Sequence, residues 1–91
     1  MNSEVPLEYI ILINLLRHAY VGKRHTPLDN AVKGIPSHEL KDAKKALKYL
    51  IRIRWLNPKK TGHGLDVSIN PRFLNEIKNI PEIKRVFNND F

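Results

Sequence analysis

Across residues 37 to 70 the apolar spacing changes from one in every three or four positions to one in every two. This switch limits the fold of the 91-residue chain more than any other feature of it. Residues 38 to 53 read as one helix. Advancing about 100° per residue from Leu40, the side chains of Ala43, Leu47, Leu50 and Ile51 fall within about 80° of it and form a stripe to be buried. Lys41, Lys45, Lys48 and Arg52 fall about 80° to 140° from the same reference, so a cationic face stands beside the apolar one. Residues 55 to 58 and 65 to 69 then read as two strands of a hairpin. Between them lies Lys59-Lys60-Thr61-Gly62-His63-Gly64, whose glycines permit turn dihedrals. Alternation in the second strand sends Leu65, Val67 and Ile69 to one face and Asp66 and Ser68 to the other, which describes a half-buried strand.

The flanking residues supply what this helix and hairpin pack against. A first helix is expected over residues 6 to about 20, with proline in its first turn and Gly22 ending it. Val5, Tyr9, Leu12, Leu16 and Ala19 make one stripe, yet Ile10, Ile11, Ile13 and Leu15 lie off it, so the helix is apolar over most of its circumference. Either other elements wrap it from two sides, or part of it meets another subunit. Lys23 to His25 reads as a very short strand that joins the hairpin. Thr26-Pro27-Leu28-Asp29 opens a short second helix with Thr26 as its cap, and Gly34 and Pro36 stop it. Ser37 is expected to cap the third helix, with Glu39 and Asp42 near its positive end and Lys48 and Arg52 toward its negative end. Asn70-Pro71 starts a fourth helix that reaches about residue 79, turning Phe73, Leu74 and Ile77 inward. Pro81 separates it from one or two last turns.

Length and 42% apolar content suit one domain over residues 1–91 with a compact core. No cysteine is present, which removes disulfides and thiolate metal sites and fits a cytoplasmic setting. His18, His25, His38 and His63 lack the paired spacing of metal ligands, so no metal is expected. Neither a glycine-rich phosphate loop nor a nucleophile elbow nor a catalytic carboxylate pair stands out; no enzymatic activity, cofactor or small-molecule ligand is expected. Glu4, Pro6 and Glu8 precede the apolar run at residues 10 to 16, where a targeting sequence would place positive charge, and the run is too short to span a bilayer. The net charge of +7 favours a polyanionic partner over a membrane. Residues 17 to 60 hold twelve of the sixteen basic side chains and only Asp29, Glu39 and Asp42 of the acidic ones.

The order helix, short strand, short helix, turn, long helix, hairpin and tail helix resembles the winged helix-turn-helix family of DNA-binding domains. The likeness covers residues 6 to 70, with residues 71 to 88 as a helical extension, and makes the expected class α+β, mainly α. Its most telling piece is Ala46-Leu47-Lys48-Tyr49-Leu50-Ile51-Arg52-Ile53-Arg54-Trp55-Leu56, which looks like a recognition helix running into the first strand of a wing. Arg54 departs from the family pattern, where glycine is frequent; it requires an earlier or later helix end, or a less favourable backbone at Arg54. In this family the helix after the wing often supports dimer formation together with the first helix. The resemblance therefore implies a homodimer interface that includes Ile10, Ile13, Ile80, Ile83 and Phe87.

A helix of this kind in a major groove would read base edges with the exposed residues of its first half, Ser37, His38, Lys41, Asp42 and Lys45. Lys44, Lys48 and Arg52 would meet phosphate, as would Lys59, Lys60, Thr61 and His63 on the wing and Lys23 and Arg24 on the other flank. Each assignment has a plainer counterpart. A lysine-rich helix face is commonly just solvated, Ser37 and Asp42 also serve the helix end, and Lys23 and Arg24 also fit a solvated linker. Trp55 fits a core anchor or a stacking platform for a single-stranded base. The expected function is sequence-specific double-stranded DNA binding by a transcriptional regulator; the alternative is a winged-helix protein-docking module in a replication, repair or transcription assembly.

Overall fold

The apolar helix α1 (Leu7–Arg17) is the centre of the molecule: Ile11, Leu12 and Leu15 have no exposed surface. The computed structural model describes residues 5–88, an α+β domain of five helices and one three-stranded antiparallel sheet. In chain order α1 is followed by β1 (Thr26–Pro27), α2 (Leu28–Ala31), α3 (Leu40–Arg52), β2 (Leu56–Thr61), β3 (Gly64–Ile69), α4 (Leu74–Lys78) and α5 (Pro81–Val86). Because α1 packs on α2, α3, α5 and β3 together, its apolar circumference is wrapped by its own chain.

Both long helices end alike. Ala19 (φ 57°) and Arg54 (φ 72°) take the left-handed conformation, and each closes a Schellman motif. In α1, Ala19 N–H donates to Leu16 O and Tyr20 N–H to Leu15 O; after α3, Arg54 N–H donates to Ile51 O and Trp55 N–H to Leu50 O. The helix end at Ala19 comes before the expected one. Gly22 serves another purpose: its amide donates to Ile69 O at 2.9 Å, and a Cβ there would lie 3.3 Å from Pro71 Cγ.

The strand expected at residues 23 to 25 forms slightly later, as β1, where Thr26 pairs with Val67 and Pro27 with Asp66. Thr26 is buried, and its hydroxyl accepts from the Asn30 side chain rather than capping a backbone amide of α2. Strand order β1-β3-β2 leaves β2 at an edge, the position where Pro58, which has no amide hydrogen, costs no ladder bond. Ser68 also differs from the half-buried pattern: it is 3% exposed, because its hydroxyl donates to Gly22 O across the face opposite the main core.

Asn70 fastens the tail. Its side chain donates to Arg54 O and accepts from Arg72 N–H, while its own amide donates to Trp55 O. Trp55 stacks on Phe73 with ring centroids 6.5 Å apart, the core-anchor arrangement. The single helix expected over residues 70 to 79 is divided into a 3₁₀ turn (Pro71–Phe73) and α4, and α5 then lies against α1. This corrects the expected subunit contact. Ile83 is 0% exposed, Phe87 5% and Ile13 9%, so these three side chains complete the core of one chain, and of the five only Ile10 and Ile80 are half-exposed. No helix among the described residues is long and apolar enough to cross a membrane.

Candidate nucleic-acid interface

Helix α3 divides its surface between core and solvent. Ala43, Ala46, Leu47 and Leu50 are buried, with Leu40 and Ile51 at the margin, while Lys41, Lys44, Lys45, Lys48 and Arg52 are all exposed. Ala46 extends the buried arc to the side away from Ile51, which turns the cationic arc squarely outward. Among the described residues no acidic side chain pairs with any of these lysines, and Arg52 lies 5.7 Å from the centroid of the Tyr49 ring. A helix carrying unpaired ammonium groups in this density is repelled by itself and attracted by any dense line of negative charge.

The entrance to α3 differs from expectation. Ser37–Glu39 forms a 3₁₀ turn ahead of α3, opened by Pro36, whose carbonyl accepts from Glu39 N–H at 2.9 Å; Ser37 makes no capping bond with its side chain. The Ser37 hydroxyl is thereby left at the exposed tip of the turn. His38 beside it is 79% exposed, with Nε2 3.6 Å from the Glu39 carboxylate. Asp42 is also exposed, in the first turn of α3. Ser37, His38, Lys41, Asp42 and Lys45 therefore share an unobstructed helix start.

The hairpin is longer and stiffer than a six-residue loop would make it. The ladder continues from Leu56↔Ile69 to Thr61↔Gly64, leaving only Gly62 and His63 in the turn. Thr61 Oγ1 accepts from His63 N–H and donates to Gly64 O, so the hydroxyl is occupied in closing the turn. Lys59 and Lys60 belong to β2 rather than to the loop. Cross-strand partners share a face, so Lys60, opposite Leu65, extends from the side that the helices cover, and Lys59, opposite Asp66, extends from the other.

The segment before β1 is fixed to its surroundings. Lys23 is exposed, but Arg24 folds back: Nε donates to His18 O at 3.2 Å, and the guanidinium lies 5.3 Å from the Tyr20 ring centroid. His25 Nδ1 meets Asp66 Oδ2. The expected cations thus form two groups, α3 with the hairpin, and Arg24 with the end of α1. In the second group lie Arg17, Lys33 and Tyr20, which carry no periodic signal and were not expected to act together. Among the described residues no set of three histidine, cysteine or carboxylate side chains is placed to hold a metal ion. Comparison with family models, with curated proteins and with solved structures finds no match to this chain.

Proposed function

We propose that the chain is a winged helix-turn-helix domain that binds double-stranded DNA in a sequence-specific manner, as a transcriptional regulator does. Residues 37 to 52 occupy the major groove, and the hairpin reaches the flanking backbone or minor groove. The observation that carries this reading is the exposed row of Lys41, Lys44, Lys45, Lys48 and Arg52, none of them ion-paired with an acidic side chain among the described residues, on the helix that leads directly into a projecting hairpin. The strand order β1-β3-β2 and the placement of α2 before α3 support it as well. Lys41, Lys45, Asp42, His38 and Ser37 read base edges in this arrangement, and Lys44, Lys48 and Arg52 hold phosphates.

The test is selection of bound duplexes from a random pool at moderate salt, followed by titration of the enriched sequence. An enriched motif whose affinity falls steeply with salt, and falls further in a variant with Lys41, Lys45 and Lys48 changed to Glu, is the expected result. An enriched inverted repeat would indicate a two-fold pair built on what remains exposed of Ile10 and Ile80; a single half-site would indicate one copy. No enrichment and a salt-independent affinity would reject the proposal.

A protein-docking role for the same fold is favoured by one observation, a groove of about 370 Å³ between α1 and the end of α3, lined by Tyr9, Leu12, Tyr49, Ile53 and Trp55. The charge reversal separates the two readings, because a docking module keeps its partner when the lysines are reversed.

A further inference from the structure

The ends of α1 and α2 enclose a cleft of about 390 Å³ on which no carboxylate opens. Arg17, His18, Tyr20, Asn30 and Lys33 line it, and Asn14 lies at its base. Basic side chains at two helix C-termini are ordinarily explained as partners of the unsatisfied carbonyls there. Here several carbonyls at those ends have other donors. Asn14 Nδ2 donates at 2.9 Å to both Ala31 O and Lys33 O, and Arg24 Nε donates to His18 O. Leu15 O and Leu16 O are taken by the amides of Tyr20 and Ala19. The donors are Asn14, Arg24 and backbone amides, not the side chains of Arg17 and Lys33, and among the described residues neither of these two has an acidic partner. Arg24, held against Tyr20, adds a third permanent positive charge beside the cleft.

Two cations, a phenol and a carboxamide lining one concave surface that no carboxylate lines match one ligand chemistry closely. A phosphate monoester carries about two negative charges at neutral pH and three acceptor oxygens, and a guanidinium can engage two of those oxygens at once. The volume lies in the range of small-ligand sites, roughly 300–1,000 Å³, and exceeds what a bare ion needs. We propose that this cleft binds a small phosphorylated molecule. Arg17 and Lys33 hold its phosphate, and Asn30 and Tyr20 contact the remainder. None of the α3 lysines lines the cleft, so the site is separate from the face assigned to DNA, and the inference stands whether or not that assignment does.

Titration of the whole chain with inorganic phosphate, at ionic strength held constant with chloride, tests this by nuclear magnetic resonance. Saturable shifts at Asn14, Asn30, Tyr20 and Arg17, at lower phosphate concentration than any at the α3 lysines, are expected, with affinity reduced about ten-fold or more in Arg17→Ala and in Lys33→Ala. Both side chains are exposed, and unchanged melting temperatures would show that the fold is retained. A sugar phosphate should bind more tightly than phosphate through its added contacts. Shifts that never saturate, that appear equally at the α3 lysines, or that survive both substitutions would overturn the proposal. A parallel titration with duplex DNA separates the sources of phosphate: Arg17→Ala should leave duplex affinity within about two-fold, and a loss as large as that of phosphate would make the cleft a nucleic-acid backbone contact instead.

Discussion

His25 Nδ1 lies 2.6 Å from Asp66 Oδ2, tying the segment that enters β1 to the middle strand of the sheet. The carboxylate is only 13% exposed and the imidazole 27%, so the contact is partly withdrawn from water. A hydrogen bond to a charged group in such a place is worth about 1.5–3 kcal/mol. Asp66→Ala should lower unfolding free energy by about that amount in urea titrations, and Asp66→Asn, which keeps an acceptor oxygen, by less than half as much.

The division of Lys59 and Lys60 between the two faces of the hairpin predicts unequal effects on duplex affinity. Lys59 stands across the ladder from Asp66, whose charge offsets it, while Lys60 stands opposite Leu65 on the side of α3. Lys60→Ala should weaken binding several-fold and reduce the slope of log affinity against log salt by about 0.9, the loss of one phosphate contact. Lys59→Ala should leave the slope nearly unchanged. Equal slopes would place both lysines on the backbone, or neither.

Arg54 holds a left-handed backbone that costs an ordinary residue about 1–2 kcal/mol relative to glycine, partly offset by the entropy glycine loses on folding. Arg54→Gly should therefore raise stability by up to about 1 kcal/mol, seen as a melting temperature higher by a few degrees. The Asn70 side chain donates to the backbone carbonyl of this position, Arg54 O, so its bond does not depend on the Arg54 side chain. A lower melting temperature would mean that the Arg54 side chain contributes more than its backbone costs.

Ile83 is fully buried between α5 and the rest of the core. Ile83→Ala should cost about 2–5 kcal/mol through the cavity it leaves. Since the side chain packs within one chain, that loss should be the same at all protein concentrations; a subunit contact would make it concentration-dependent.

Legibility in the sequence followed the range of the interactions. The α3 stripe was readable because Leu40, Ala43, Leu47 and Leu50 repeat with the helix period, and the hairpin because Leu65, Val67 and Ile69 repeat with the strand period. Arg54, standing where glycine would be easier, implied either a displaced helix end or an unusual backbone, and the unusual backbone is the one found. What escaped depended on partners distant along the chain. Ser68 is buried by Gly22, Thr26 is paired with Val67 in the sheet, and Ile83 is covered by α1, contacts that leave no local pattern. Lys59 and Lys60 look like loop residues because proline and lysine avoid central strands, and only the edge position of β2 accommodates them. The cleft was hidden for a related reason: Asn14 reaches carbonyls 17 and 19 residues away, and a polar residue within an apolar helix gives no hint of that reach.

With just Gly62 and His63 beyond the last ladder pair, the hairpin behaves as a cantilever rather than a tether. Its span from α3 is preset before any target arrives, so little ordering entropy is lost on contact. Lengthening the tip would alter where the target is touched, whereas loosening the ladder would alter how tightly.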